Sequence, residues 1–567
     1  MFVDLKGFAL DDYGRALVQK TLSAGHDDNW SAKAVLSHVL NAGGVYAVLE
    51  EPYNDQDYAT DYVNFYASAF RNYPKHTKRL HFFAQDVSDV FEKPISEQHD
   101  LLAKSHYLGN VVIRPIAQGP IGRTTLAFPT YDAPLIARPA ARANFSSHLL
   151  GADLEMRGVA PFIQQDSKLS SCAQAAIWMA SRPVHQRHRR TSWHSVAEIT
   201  RLATTPTDAA LSRALPAGSG GLDPIHIIRA LRAMGHQPLF DYFVSDTVGG
   251  CAKCGAGAQC QCAPAPTAAK APAPSSKAIA NTAAEVLVRY LDSGVPVIVA
   301  LADVGEDVGH AVTAVGFVED ANLTGQSSTS YAGFVRALIV HDDQRGPYRL
   351  MPLRESDIAT LPADQVLRNP KDTPLTVQHA ATHMFVPLPE RVLMRAERAD
   401  TVARDFLRKY VTQLSDKMLE KLFVKQPDQA SIAAPAMSHF NDLVRSDKLI
   451  SRTYLTQAGR YRHHLSRSNL DDMVKAELTV RELPHFVWVT ELIEPGATPK
   501  NGGARPIIGH MVTSAASSTD PDSDLLMAHL PHFLIHRDVN SEHWGDDFVE
   551  EATFFPVHLP YDGRQRS

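Results

Sequence analysis

The feature that most constrains this chain is residues 161–182, where a polar loop bearing two glutamines runs directly into an apolar helical pattern. The loop delivers Cys172 to the start of that pattern. Four apolar residues at helical spacing follow it and predict a helix with one buried face: Ala173, Ala176, Ile177 and Ala180. Ser170 and Ser171 are typical N-cap residues, which puts Cys172 in the first turn. Free N–H groups and the helix dipole favour a thiolate there, so Cys172 is a candidate nucleophile.

Two glutamines precede the cysteine, and each is a candidate partner for it. Gln164 or Gln165 can donate an amide N–H to an oxyanion that forms beside the sulfur. A single cysteine in an apolar helix is more often a small buried hydrophobic residue than a catalyst. The functional interpretation therefore depends on what the rest of the chain supplies.

Composition and charge are those of an ordinary globular protein with more than one domain. The chain has 567 residues, of which 44% are hydrophobic and 21% are charged. A formal net charge of −6 gives no indication of a nucleic-acid partner or of an anionic membrane surface. The N-terminus lacks a secretory pattern, and no apolar run approaches the roughly 18 residues of a membrane span. Four of the five cysteines fall within 251–262, which favours a reducing, cytoplasmic setting over a disulfide framework.

The first 150 residues predict a mixed α/β domain. Aromatic residues between positions 57 and 70 recur close to helical spacing and predict a core-facing helix stripe: Tyr58, Tyr62, Phe65, Tyr66 and Phe70. Two strand-like runs, 107–116 and 121–128, predict a hairpin or adjacent strands. Arg114 and Arg123 lie in these runs, and we expect them to be solvated.

Residues that follow the candidate nucleophile helix alternate between loop and helix patterns. The basic segment 182–196 predicts a surface loop, and the spacing of its three histidines matches no metal motif. Asp223 and Pro224 are typical of a helix start, and we expect Ile225, Ile228 and Leu231 to line its apolar face.

A Gly-, Ala-, Pro- and Ser-rich insertion at 249–277 interrupts the regular structure. It contains Cys251, Cys254, Cys260 and Cys262 at the spacing C-x2-C-x5-C-x-C. Four thiols can hold one structural zinc ion, but only the first pair has the usual spacing. The composition favours a flexible, redox-sensitive insertion over a zinc site.

Regular structure resumes after the insertion with a helix and three strands. The helix stops at Gly294, the first strand covers 295–301, the second opens at His310, and the third ends at Asp342 and Asp343. Beyond about residue 382 the pattern predicts a short strand, helices to about residue 480 and then further strands. Trp488 and His510 lie on those last strands, where we expect them to belong to the core.

Three residue types needed for covalent catalysis thus occur along the chain. A thiolate nucleophile requires a base that holds and later delivers a proton, and the base requires a partner that sets its tautomer. Cys172, His310 and Asp342 supply these groups in that order.

Taken together, these residues resemble the papain-like cysteine peptidases and, within them, the bacterial C39-like branch. The matching pieces are 165–172, 294–300, 309–316 and 341–343, and the resemblance covers roughly residues 158–355. It implies an α+β fold with a papain-like core. The resemblance says nothing about the flanking regions. Together with the sequence patterns, it gives the expected domains 1–150 (mixed α/β), 151–380 (peptidase core with the insertion) and 381–567 (helical, then β-containing).

The same resemblance assigns roles to individual residues. It implies Cys172 as nucleophile, His310 as general acid and base, and Asp342 as the residue that orients His310. Gln165 and the backbone N–H of Cys172 would form the oxyanion hole, and catalysis would require no cofactor. Gln164 remains an alternative to Gln165, because the glutamine lies one residue further from the cysteine than in the family pattern.

Other departures leave further alternatives open. Asp343 stands where proline is common in the family, so either aspartate can be the partner of His310. The expected activity is hydrolysis of a peptide or isopeptide bond in a protein or peptide substrate. An acyltransferase of the transglutaminase kind would use the same triad, and a catalytically inactive papain-like binding scaffold is the non-enzymatic alternative.

Overall fold

The computed structural model describes most of the chain in fourteen ranges. These are 4–26, 28–140, 143–166, 172–188, 193–205, 222–243, 283–302, 309–325, 328–466, 472–480, 482–499, 505–516, 524–537 and 544–548. Ser170, Ser171 and the four clustered cysteines with their proposed zinc site lie outside the described residues.

Within these ranges helices and antiparallel strands occur in comparable amounts. The helices are α1 (Asp12–Leu22), α2 (Trp30–Asn41), α3 (Gln56–Asn64), α4 (Ile95–Ala103), α5 (Cys172–His188), α6 (Val196–Thr204), α7 (Pro224–Ala233), α8 (Ala283–Asp292), α9 (Val377–Ala380), α10 (Ala396–Lys409), α11 (Ser415–Lys425), α12 (Pro427–Arg445), α13 (Ala458–Ser466) and α14 (Asp472–Val480). The strands are β1 (Asp4–Ala9), β2 (Tyr46–Tyr53), β3 (Thr77–Phe83), β4 (Tyr107–Ile113), β5 (Ile121–Leu126), β6 (Leu135–Pro139), β7 (Ala143–Leu149), β8 (Ala152–Val159), β9 (Gln237–Tyr242), β10 (Val297–Leu301), β11 (His310–Asp320), β12 (Val335–Asp342), β13 (Gly346–Pro352), β14 (Ala381–Leu388), β15 (Ile450–Gln457), β16 (Phe486–Ile493), β17 (Gly509–Ser514), β18 (Leu525–Leu530), β19 (Phe533–Arg537) and β20 (Trp544–Phe548).

Three large antiparallel sheets organise the described chain, and β7 and β8 form a separate two-stranded sheet. The N-terminal sheet has the order β1-β2-β3-β4-β5, and the C-terminal sheet runs from β15 to β20 in sequence order. Between them lies a seven-stranded central sheet of order β13-β12-β11-β10-β14-β9, in which β6 pairs with one part of β11. The fold is therefore mixed α/β with several antiparallel sheets, as the sequence predicts at this coarse level.

The central sheet separates two apolar cores, because successive side chains along a strand point to opposite faces. On β11, Ala311 and Val315 belong to the core that contains α2, α5 and the N-terminal sheet. Val312 and Ala314 belong to the opposite core, which contains α8 and the C-terminal sheet. Both faces of the sheet are thus covered, and β11 is a buried, rigid mount along its whole length.

The central sheet reaches beyond the segment that the resemblance covers. Strand β6, from the first 150 residues, pairs with β11 between Leu135 and Pro139. Strand β14 begins at Ala381 and lies between β10 and β9. The sheet that carries the candidate site is therefore built from residues on both sides of the expected boundaries at 150 and 380.

Several local predictions are confirmed. Strands β4 and β5 form the expected antiparallel pair. Helix α7 starts after Asp223 with Pro224 in its first turn, and helix α8 ends before Gly294, which has a positive φ of 81°. Strand β11 opens at His310 and β12 ends at Asp342, as the pattern predicts. Trp488 and His510 are buried in the C-terminal sheet, as expected of core residues.

Other local predictions are wrong, and tertiary packing explains most of them. Helix α3 ends at Asn64, so the aromatic stripe is not continuous: Tyr58 and Tyr66 are buried but Phe70 is exposed. On α7 the buried positions are His226, Ile227, Ala230 and Leu231, whereas Ile225 is exposed.

The remaining corrections concern the length and surroundings of elements. Helix α5 continues to His188, so the first part of the predicted surface loop at 182–196 is helical. Strand β15 interrupts the predicted helical run before residue 480 because it pairs with β16. Arg114 is buried, since its Nη2 donates to the carbonyls of Gly119 and Gln164, both at 2.6 Å. Arg123 forms a 2.9 Å ion pair with Asp55.

Candidate active site

The histidine and the aspartate meet at one edge of the central sheet. Strands β11 and β12 are antiparallel neighbours, so the first residue of β11 lies beside the last residue of β12. Nε2 of His310 lies 3.1 Å from Oδ2 of Asp342. Both side chains are buried. The two residues that the sequence places at strand ends, 32 positions apart, thus form a hydrogen-bonded pair.

Helix α5 brings the cysteine to the same edge. Its apolar stripe, which includes Ala173, Ala176 and Ile177, is buried as predicted. Residues 173–184 are all buried, however, so the prediction of a single buried face is wrong. Oγ1 of Thr313 on β11 lies 3.1 Å from the carbonyl oxygen of Ala176. Cys172 is one helical turn before Ala176, and its Sγ lies 3.9 Å from the carbonyl oxygen of Gly309, the residue before His310. Cys172 is half-buried, which leaves its sulfur open on one side.

The contacts of His310 define which ring nitrogen serves which partner. Since Nε2 faces Asp342, Nδ1 is the nitrogen left for Cys172. Burial by itself would lower the pKa of His310. Attraction to Asp342, the hydrogen bond with Asp342, the interaction with the Cys172 side chain and attraction to Asp343 outweigh it and raise that pKa well above its ordinary value. The raised pKa favours the protonated imidazole, and an imidazolium next to a sulfur stabilises a thiolate.

A tight turn fixes the orientation of Asp342. Its Oδ1 accepts the backbone N–H groups of Gln344 at 2.8 Å and Arg345 at 3.0 Å, which leaves Oδ2 for His310. Burial would raise the pKa of Asp342, but His310 and the two backbone donors lower it. The carboxylate is thus held ionised, in the tautomer-setting position that a catalytic histidine requires.

Asp343, the alternative partner, has a different environment. Its side chain is 0% exposed, and Oδ1 lies 3.7 Å from Nε2 of His310, too far for a hydrogen bond. Neither carboxylate oxygen forms a hydrogen bond with another described residue. Burial raises the pKa of Asp343 to about 7; attraction to His310 opposes that rise, and repulsion from Asp342 adds to it. The geometry therefore favours Asp342 over Asp343 as the orienting residue.

The two glutamines also differ in what they contact. The side chain of Gln164 is buried and committed: Oε1 accepts the Ile121 N–H at 3.2 Å, and Nε2 donates to Oδ1 of Asn29 at 3.2 Å. The next residue but one, Asp166, is buried and accepts a hydrogen bond from the Tyr66 hydroxyl. Between these anchors Gln165 is half-buried, and its side chain makes no hydrogen bond within the described part of the chain. Gln165 is thus the glutamine whose side-chain amide is not engaged by another described residue.

Helix α2 of the N-terminal region supports both sides of the site, which the sequence did not predict. Asn29, its N-cap, holds Gln164. Oγ of Ser31 donates to the backbone carbonyl of Asp343 at 3.3 Å. Trp30 is 61% exposed and lies under the Arg345 guanidinium, 5.0 Å from it. These contacts join residues more than 130 positions apart, and no local pattern around Asn29 signals them.

His194, which belongs to the basic segment 182–196, does not come to this edge. It lies near Arg182 and Trp193, toward the C-terminal end of helix α5, whereas Cys172 is at the N-terminal end. Among the described residues, the one group of three or more His, Cys, Asp or Glu side chains close enough to share a metal ion is His310, Asp342 and Asp343.

In the described part of the chain, no helix has both the length and the apolar character needed to cross a membrane. Comparison of the sequence and the structure with protein-family models, with curated proteins and with solved structures found no match.

Proposed function

We propose that this protein is a cysteine hydrolase that cleaves peptide or isopeptide bonds through Cys172, His310 and Asp342. The observation that carries the proposal is the position of His310, which bonds to Asp342 through Nε2 and interacts with Cys172, whose Sγ lies 3.9 Å from the carbonyl oxygen of Gly309. A buried imidazole between a thiol and an ionised carboxylate is the arrangement that activates a sulfur nucleophile.

The order of the elements supports a papain-like core. A helix that begins at the nucleophile packs on an antiparallel sheet, and the base and its partner follow on adjacent strands of that sheet. Burial of both faces of β11 gives His310 a rigid support, which precise proton transfer requires.

The proposed reaction has two stages. The Cys172 thiolate attacks a carbonyl carbon, and the oxyanion accepts N–H groups from the Gln165 side chain and the Cys172 backbone. His310 donates its proton from Nδ1 to the leaving amine, which departs and leaves a thioester on the sulfur. Water, deprotonated by the now neutral imidazole, then attacks the thioester, releases the acid and restores the thiolate–imidazolium pair.

Cleavage of a defined peptide mixture tests this proposal. The full-length protein is incubated with the mixture, with and without hydroxylamine, and the products are identified by mass spectrometry. New carboxyl termini at defined bonds support hydrolysis. Products that form solely when the amine is added would replace hydrolysis by acyl transfer. Uncleaved peptides together with an unreactive Cys172 would favour a binding scaffold.

The two glutamines provide a matched pair of variants. Gln165→Ala should lower kcat by about a hundredfold, because it removes one oxyanion donor, and should leave the melting temperature unchanged. Gln164→Ala should destabilise the fold by roughly 1–3 kcal/mol, because the Ile121 N–H and the Asn29 side chain lose their buried partner. Kinetics and thermal unfolding of both variants check the assignment. A larger loss of kcat in Gln164→Ala at equal stability would transfer the role to Gln164.

A further inference from the structure

A cluster of three buried ligand-type side chains lies at the Nε2 edge of His310. The ligand atoms of His310, Asp342 and Asp343 all lie within 4.8 Å of one another. Cys172 does not belong to this group, although cysteine sulfurs are among the ligand atoms that define it. The cluster therefore uses the Nε2 edge of the imidazole, opposite to the edge used in the proposed reaction.

Asp343 is the independent observation that points to a ligand in this cluster. A buried carboxylate normally receives hydrogen bonds, because burial of an unpaired charge or polar group is costly. Both oxygens of Asp343 lack a hydrogen bond to another described residue, although the side chain is fully buried and Oδ1 is directed at Nε2 of His310. The proposed cysteine chemistry gives this carboxylate no task.

The distances from His310 to the two carboxylates are close to those between ligand atoms in a metal shell. In tetrahedral zinc coordination, with metal–ligand bonds of about 2.0–2.1 Å, neighbouring ligand atoms lie about 3.3 Å apart. Nε2 of His310 is 3.1 Å from Oδ2 of Asp342 and 3.7 Å from Oδ1 of Asp343. One imidazole and two carboxylates also balance the charge of a divalent ion.

Supporting contacts hold the two carboxylates in place. Oδ1 of Asp342 is fixed by the backbone N–H groups of Gln344 and Arg345, so Oδ2 alone is free to bind a metal. The backbone of Asp343 is held by the Ser31 hydroxyl on helix α2. Such outer contacts orient ligands before the ion arrives.

We propose that His310, Asp342 and Asp343 form a binding site for a divalent transition metal ion of the zinc class, and that the bound ion switches off the cysteine centre. The inhibitory part rests on the proposed function. Metal binding displaces the Nε2 proton of His310 to solvent and leaves a neutral ring with its single proton on Nδ1. The ring can then neither accept the proton of Cys172 nor remain an imidazolium, so acyl transfer stops.

Metal binding is measured directly on the full-length protein, in a background where Cys251, Cys254, Cys260 and Cys262 are changed to serine. Equilibrium dialysis with Zn²⁺, and with Mg²⁺ as the comparison, gives stoichiometry and affinity without any substrate. We expect one Zn²⁺ per chain. Asp343→Asn should weaken Zn²⁺ binding at least about tenfold, whereas Cys172→Ser should retain it.

A second measurement keeps the test independent of how the variants fold. Co²⁺ bound to the unsubstituted site should show visible d–d bands and no thiolate-to-cobalt charge-transfer band, because no sulfur is a ligand. A charge-transfer band that disappears in Cys172→Ser would overturn the proposal in favour of a thiol–imidazole metal site. Absence of bound Zn²⁺ would overturn it as well. Neither result bears on the proposed function, because that function is tested by the alkylation of Cys172 in metal-free buffer.

Discussion

Cys172→Ala is expected to lower peptide hydrolysis by about a thousandfold or more, because no other group of the site can form the covalent intermediate. The variant should fold, since Cys172 is half-buried at the first position of helix α5 and alanine is a good helix former. The rate of product formation from the peptide mixture, measured beside the unsubstituted protein, checks the expectation.

Serine variants of two cysteines, Cys172 and Cys251, provide the matched control. Cys172→Ser should be as inactive as Cys172→Ala, because a hydroxyl beside His310 is a far weaker nucleophile than a thiolate. Cys251 belongs to the insertion, for which no catalytic role is predicted, so Cys251→Ser should retain the activity. Unchanged hydrolysis in Cys172→Ala would contradict the assigned mechanism.

Asp342→Asn is expected to reduce kcat by roughly a hundredfold or more without unfolding the protein. The carboxylate accepts backbone N–H groups through one oxygen and the imidazole through the other. An amide has one oxygen and one NH2 group, so it can serve only one of these two partners. If the turn keeps the oxygen, His310 faces a donor and loses the charge that holds it protonated.

An exposed aspartate provides the control for this change. Asp372 is exposed and has a positive φ of 62°, which asparagine tolerates, so Asp372→Asn should leave both kcat and thermal stability unchanged. A hundredfold loss in Asp343→Asn together with an active Asp342→Asn would transfer the orienting role to Asp343. The pH dependence of kcat in both variants reports the protonation of His310 directly.

Much of the site was predictable because its scaffold is local. The apolar stripe at Ala173, Ala176 and Ile177 has a clear helical period, and its burial against β11 follows from that period. The strands that start at His310 and end at Asp342 are rich in β-branched residues and bounded by turn formers. Antiparallel pairing of consecutive strands then brings their ends together.

The sequence pattern could not show which of two adjacent residues of the same type belongs to the site. Gln164 and Gln165 are the same residue type, and Asp342 and Asp343 are as well, so only the direction of each side chain separates them. The direction of the Gln164 side chain is set by Asn29 and Ile121, which come from distant parts of the chain. The Asp342 side chain is oriented by the backbone N–H groups of Gln344 and Arg345, and the Asp343 backbone is held by the distant Ser31. Tertiary contacts of this kind leave no periodic signal in the sequence.

The same physical reason accounts for the misjudged residues elsewhere. Arg114 lies in a strand-like run and resembles a solvated arginine, but the carbonyls of Gly119 and Gln164 surround its guanidinium in the fold. Phe70 is the last residue of the predicted aromatic stripe, yet it lies beyond Asn64, where helix α3 ends. Spacing predicts a face only as far as the helix extends.

The most direct test of the central claim is the rate of Cys172 alkylation by iodoacetamide as a function of pH, with the four clustered cysteines changed to serine. Since the pKa of His310 is raised well above its ordinary value, the imidazolium should persist at neutral pH and keep the sulfur as a thiolate. We expect the alkylation rate at pH 6 to be within a few-fold of the rate at pH 8. In His310→Ala the rate should fall about tenfold for each pH unit from pH 8 to pH 6. Alkylation that falls equally steeply with and without His310 would contradict the central claim.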